Sequence, residues 1–87
     1  MLPLNLAILE YYTTVERACA DDVIAALKET YGHFKGLQKK NVVEALMTAE
    51  KNDLLVVADL LLDEKDELVI YYKTTPESRD TILSYLK

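Results

Sequence analysis

Between Lys51 and Leu54 the chain changes its periodicity, and that change excludes most small folds. Upstream, "LQKKNVVEALMTAEK" (37–51) spaces apolar residues three and four apart, the period of a helix with one buried face. Downstream, "DLLVVADLLLD" (53–63) is almost continuously apolar and partly β-branched, which is strand composition. Asn52 tolerates left-handed backbone and is the expected helix stop. A second run, "ELVIYYKTT" (67–75), follows the connection "DEKDE", whose residues tolerate tight turns, so the two runs predict an antiparallel hairpin. A hairpin alone is marginal in water, so this one must be braced by helices.

The helices can be placed around it. In "PLNLAILEYY", Leu4, Ala7, Ile8 and Tyr11 share one helical face, and Pro3 suits a first turn. "TTVE" (13–16) predicts a break, although Val15, Cys19, Val23 and Leu27 would continue the same period in one long helix. "ADDVIAALKETYG" (20–32) is the second helix. Asp21 or Asp22 supplies its cap, Val23, Ile24, Leu27 and Tyr31 its buried stripe, and Gly32 its left-handed stop. Phe34 anchors the turn "HFKG". In the third helix Leu37, Val42 or Val43, Leu46 and Ala49 or Glu50 face inward. The last helix starts at "TTPES", with Thr75 as cap, Pro76 as first residue and Thr74 with Glu77 at capping-box spacing. Ile82, Leu83 and Leu86 are its apolar face.

The 87 residues make one domain, 1–87. No apolar run reaches the roughly 18 residues of a membrane span, and "MLPLNLAILEYY" lacks the basic flank of a signal peptide, so the expected location is the cytoplasm. Cys19 is the only cysteine and His33 the only histidine. Cys19 among alanines is expected to be a small buried hydrophobe, and His33 to sit at a helix end. With no phosphate loop, nucleophile elbow or paired-histidine motif, neither an enzyme nor a cofactor, metal or small-molecule site is expected.

Helix, helix, turn, helix, hairpin, helix is the order of a winged helix-turn-helix, an α+β fold. The chain resembles that superfamily along its whole length, most specifically in "VVEALMTAEKNDLLV" (42–56), which is similar to a recognition helix passing through a tight stop into the first wing strand. The superfamily usually has Gly where Asp53 stands. The resemblance implies a third helix entering the DNA major groove and a hairpin touching the backbone. Lys35, Gln38, Lys39, Lys40, Asn41, Glu44 and Lys51 would then belong to the DNA-facing surface, with Lys65 the wing contact. Gln and Asn side chains can pair with adenine edges. The implied function is a small DNA-binding transcription regulator.

Charge opposes tight duplex binding. The net charge is −5, and residues 53–67 carry six acids against Lys65 alone. Residues 35–52 hold Lys35, Lys39, Lys40 and Lys51 against Glu44 and Glu50, fewer basic groups than the roughly 6–10 phosphate contacts of a strongly bound protein. A two-fold dimer would double them. Tyr12 and Tyr72, read as lying off the buried stripes, are expected partner-binding residues for a homodimer or another protein. The alternative function is accordingly an acidic winged-helix protein-interaction module that does not bind DNA.

Overall fold

The period of the first segment survives for nine residues, forming α1 (Leu4–Tyr12) in the computed structural model, which describes residues 1–87. It stops because two β-branched threonines turn their hydroxyls back on the helix: Thr13 donates to the Glu10 carbonyl at 2.6 Å and Thr14 to that of Tyr11 at 2.7 Å. The expected break is present. α2 (Ala20–Tyr31) begins after Cys19, whose backbone N–H donates to the Asp22 carboxylate at 3.0 Å. Gly32 is not the left-handed stop expected of it, since its φ is −59°. Space requires glycine there, because a Cβ would lie 2.6 Å from the Lys28 carbonyl oxygen.

A 3-10 turn, Lys35–Leu37, leads into α3 (Lys39–Lys51), which buries Val42, Leu46 and Ala49. Asn52 is not the left-handed residue either: its φ is −91°, and Asp53 takes φ 61°. The reason lies in the hydrogen bonds. Asn52 N–H still reaches Thr48, so the helix closes one residue later, with Asp53 N–H on Glu50 and Leu54 N–H on Ala49. That pair of bonds is the Schellman closure, and it demands positive φ at residue 53. Asp53 therefore occupies a position for which glycine is ordinarily preferred.

β1 (Val56–Leu62) and β2 (Leu68–Lys73) form the antiparallel hairpin, with Val57 opposite Tyr72, Leu60 opposite Ile70 and a bulge between Val57 and Asp59. Leu54 and Leu55, expected in the first strand, precede it. At the tip Asp63 organises the turn, its carboxylate accepting the Lys65 and Glu67 amides at 2.8 and 2.9 Å. Asp66 sits at φ 59°. α4 (Pro76–Tyr85) starts where expected, but the reciprocal cap joins Thr75 and Ser78 instead of Thr74 and Glu77. This is the winged helix-turn-helix layout. No helix is long and apolar enough to cross a membrane.

Tyr12 and Tyr72, expected outside, lie in the core at 0% and 3% exposure. Tyr12 follows Ile8 by four residues and so shares its face more closely than Tyr11 does. Its hydroxyl donates to the Ala18 carbonyl at 2.8 Å. Ala18 and Tyr72 exchange both backbone hydrogen bonds, at 3.0 and 2.9 Å, across the edge of β2 opposite β1. Tyr72 thus lies between two chains and under the helices. Tyr71, pointing the other way, is half-buried beneath the Arg17 guanidinium, 5.3 Å from its ring centre.

Two outcomes test these joints. Burial, aided by the nearby Cys19 and Tyr11, pushes the Tyr12 hydroxyl well above its ordinary pKa of 10.0. The folded state then keeps a proton that the unfolded state releases, so stability is complete below about pH 10 and declines as pH rises beyond it. Urea denaturation at stepped pH should show Tyr12→Phe costing about 1 kcal/mol at neutral pH, from the lost hydrogen bond, and flattening that alkaline decline. At the helix stop, Asp53→Val should lower the unfolding free energy by roughly 1–2 kcal/mol while Asp53→Gly leaves it equal or slightly higher.

Candidate functional site

Helix α3 displays a helix's worth of mixed chemistry on its outer side. Gln38 precedes the first turn in extended conformation, its side chain making no cap. Lys39 is paired with Asp21 at the start of α2, Nζ to carboxylate 3.3 Å. Both side chains are exposed, so the pair contributes under about 1 kcal/mol, yet it sets an acid beside the lysine cluster. The Asn41 amide donates to the Lys35 carbonyl at 2.8 Å, a bond that joins the turn to α3 and occupies the group expected to read a base. Lys35, Lys40 and Lys51 make no ion pair.

Lys51 stands apart from the lysines at the start of the helix. From Lys39 to Lys51 the helix rises about 18 Å, more than twice the physiological Debye length of about 8 Å. Val43, Glu44 and Met47 are exposed between them. Glu50 approaches Tyr72, whose hydroxyl is held above its ordinary value by burial first and by the Glu50 charge second. Lys65 stands at the hairpin tip among Asp63, Glu64, Asp66 and Glu67.

Where a DNA-reading wing would be basic, this hairpin is apolar. Leu68, Ile70 and Tyr72 alternate on one face of β2 and, with Val69, form one wall of a groove. Val43 and Leu46 of α3 form the other wall, Cys19 and Ala20 the floor, and the Asp21–Lys39 pair the mouth. Eight of its ten lining residues are apolar. The sequence expectations named none of these groove residues as functional except Lys39 and Tyr72, and Tyr72 serves as wall, not as a protruding contact. The signal was present in "ELVIYYKTT": a ribbon with helices on one face cannot bury a run that is apolar at successive positions on both faces.

Cys19 is buried as expected, its Sγ 3.4 Å from the Asp22 carboxylate. His33 lines a separate depression with Phe34, Lys35 and Leu37. The two are not neighbours in one cleft. Comparison with protein-family models and with curated proteins returned no match to this chain.

The two amides of the α3 entrance should behave differently. Asn41→Ala is expected to cost about 0.5–1 kcal/mol in thermal or urea unfolding because the side-chain bond tying α3 to the Lys35 carbonyl is lost, although that carbonyl still accepts the Gln38 amide at 3.0 Å. Gln38→Ala, which breaks no hydrogen bond within the protein, should be neutral within about 0.5 kcal/mol.

Proposed function

We propose that this chain is a member of the winged-helix superfamily acting as a protein-interaction module, with the groove between α3 and β2 as its docking face. One observation carries the proposal: the surface that would meet a duplex is an apolar channel bordered by an acidic turn. Phosphates gain nothing from Val43, Leu68 or Ile70, and the tip acids repel them. A peptide segment gains from both, burying apolar side chains in the groove while its basic residues approach Asp63, Glu64, Asp66 and Glu67. Each fully buried Leu- or Val-sized side chain contributes about 1.5–3 kcal/mol, whereas an exposed lysine–phosphate contact is screened by salt.

A specific observation also supports a second role, the small DNA-binding regulator. Lys35, Lys40 and Lys51 are exposed without ion-pair partners, and a dimer would present two such sets. In that role binding would be weak and steeply salt-dependent.

Selection of a random peptide library on the folded protein, with fluorescence anisotropy on a labelled duplex in parallel, separates the two. Selected peptides should be apolar with flanking Lys or Arg, and Val43→Asp with Leu68→Asp should weaken them at least tenfold without loss of helicity. The duplex should show no saturable binding at about 10 µM protein in low salt, within the usual range of non-specific affinities. Saturable duplex binding abolished by Lys39→Glu with Lys40→Glu, together with no peptide selected, would favour the regulator.

A further inference from the structure

The ribbon wall of the groove is wider than β2. Residues directly opposite in an antiparallel pair share a face, and the register sets Leu60 against Ile70 and Leu62 against Leu68. All four side chains therefore lie, with Tyr72, on the ribbon face turned toward α3. Leu60, Leu62 and Leu68 are 56%, 66% and 60% exposed. Val43 lines the groove from α3, and Met47, one turn further on, is exposed as well. Leu61 points to the opposite face. The backbone of the ribbon, by contrast, is poorly placed to accept another strand. On the β1 edge the Leu60 amide donates to the Asp59 carboxylate at 2.9 Å, and a bulge interrupts the strand between Val57 and Asp59. On the β2 edge Tyr72 is bonded to Ala18 through both backbone groups. Cys19, Ala20 and Asp21 border the flank beyond it, leaving a slot of about 90 Å³, less than the roughly 150 Å³ of a cavity that holds benzene. Such a slot takes one apolar side chain and no run of backbone. Bulges and local charges of this kind are how ribbon edges avoid further pairing.

We infer that the occupant of this face is an amphipathic α-helix of a partner protein, apolar along one stripe and basic at its margin, and not an extended segment. Such a helix presupposes the docking role proposed above and narrows it to one class of ligand. A helix arrives with its backbone already hydrogen-bonded, so it needs apolar surface and no free strand edge. An added strand needs ladder partners, and here the central ones are engaged. Charge fixes the sign of the partner. Along α3, Lys40 and Lys51 offset Glu44 and Glu50, and at the mouth Lys39 is paired with Asp21. What remains is the tip, where Asp63, Glu64, Asp66 and Glu67 stand against Lys65 alone. A basic margin complements that surplus, and an acidic one is repelled. Length follows from the ribbon. β2 runs six residues, about 20 Å at about 3.4 Å each, which a helix covers in about 14 residues.

Two synthetic peptides of about 14 residues, titrated into the full chain, supply the test. Both have the same content of leucine, lysine and alanine. One spaces its leucines at i, i+3, i+4 and i+7, and the other alternates leucine with the remaining residues. Calorimetry should give a micromolar Kd for the first, with helical ellipticity gained on mixing, and at least tenfold weaker binding for the second. Leu60→Gln with Leu62→Gln should weaken the helical peptide at least tenfold while the protein's own circular dichroism spectrum is unchanged. Leu61→Gln, on the other face, should leave it within twofold. Glutamate in place of the peptide's lysines should abolish binding. An alternating peptide that binds as tightly as the helical one, or a Leu61→Gln effect equal to that of the double variant, overturns the inference while the interaction role stands. Failure of both peptides where the library selection yields binders does the same, and failure of both with an empty selection removes the interaction role as well. Dimerisation abolished by Leu60→Gln with Leu62→Gln would place a second copy on this face and likewise overturns the inference.

Discussion

The Ala18 carbonyl oxygen is the joint on which the rest of the molecule turns. It accepts two hydrogen bonds, from the Tyr72 amide at 2.9 Å and the Tyr12 hydroxyl at 2.8 Å. Both lone pairs are used, and Ala18 is fully buried. One acceptor thereby ties together α1, the connector and the hairpin, elements far apart in sequence. Without it the ribbon would keep its link to α3, the packing of Tyr72 and the surface contacts of Arg17 with Asp59 and Tyr71, but no bond from α1. Such a hairpin has little independent stability, and the groove would lose one wall.

The same joint explains why the exposed chemistry lies where it does. Docking at Tyr72 buries the base of the hairpin, but the helices do not extend far enough to cover its distal half. Apolar residues near the anchor, Tyr72 and Ile70, are wholly or partly covered, while Leu60, Leu62 and Leu68 project beyond the bundle. An overhanging ribbon that is apolar on both strands and acidic at its tip suits contact with polypeptide better than contact with phosphate. The lysines of α3 are divided by the length of their helix and diluted by Val43, Glu44 and Met47, so they produce no concentrated field.

Much of the architecture was legible residue by residue. The Thr13–Thr14 break, the Thr75–Pro76 helix start, the Asp-rich hairpin turn and the buried Leu37–Val42–Leu46–Ala49 stripe each follow from local chemistry. The left-handed helix stop was legible in kind but displaced by one residue, because the closing hydrogen bonds count from the last helical turn and not from the most tolerant side chain. The tyrosines were misplaced for a different reason. Adjacent Tyr11–Tyr12 and Tyr71–Tyr72 offer two faces each, and periodicity says that one member is inside without saying which.

By itself the sequence determined the kind, order and approximate ends of the elements, because capping, turn tolerance and apolar period act over a few neighbouring residues. It also determined that the hairpin carried more apolar surface than a braced ribbon can bury. Only the tertiary structure decided which tyrosines face inward, that Asn41 is occupied by Lys35, and that Val43 and Leu68 face one channel. Those outcomes depend on contacts between residues far apart along the chain, such as Ala18 with Tyr72. No local pattern encodes such pairings, since their energy exists only once the helices and ribbon have met.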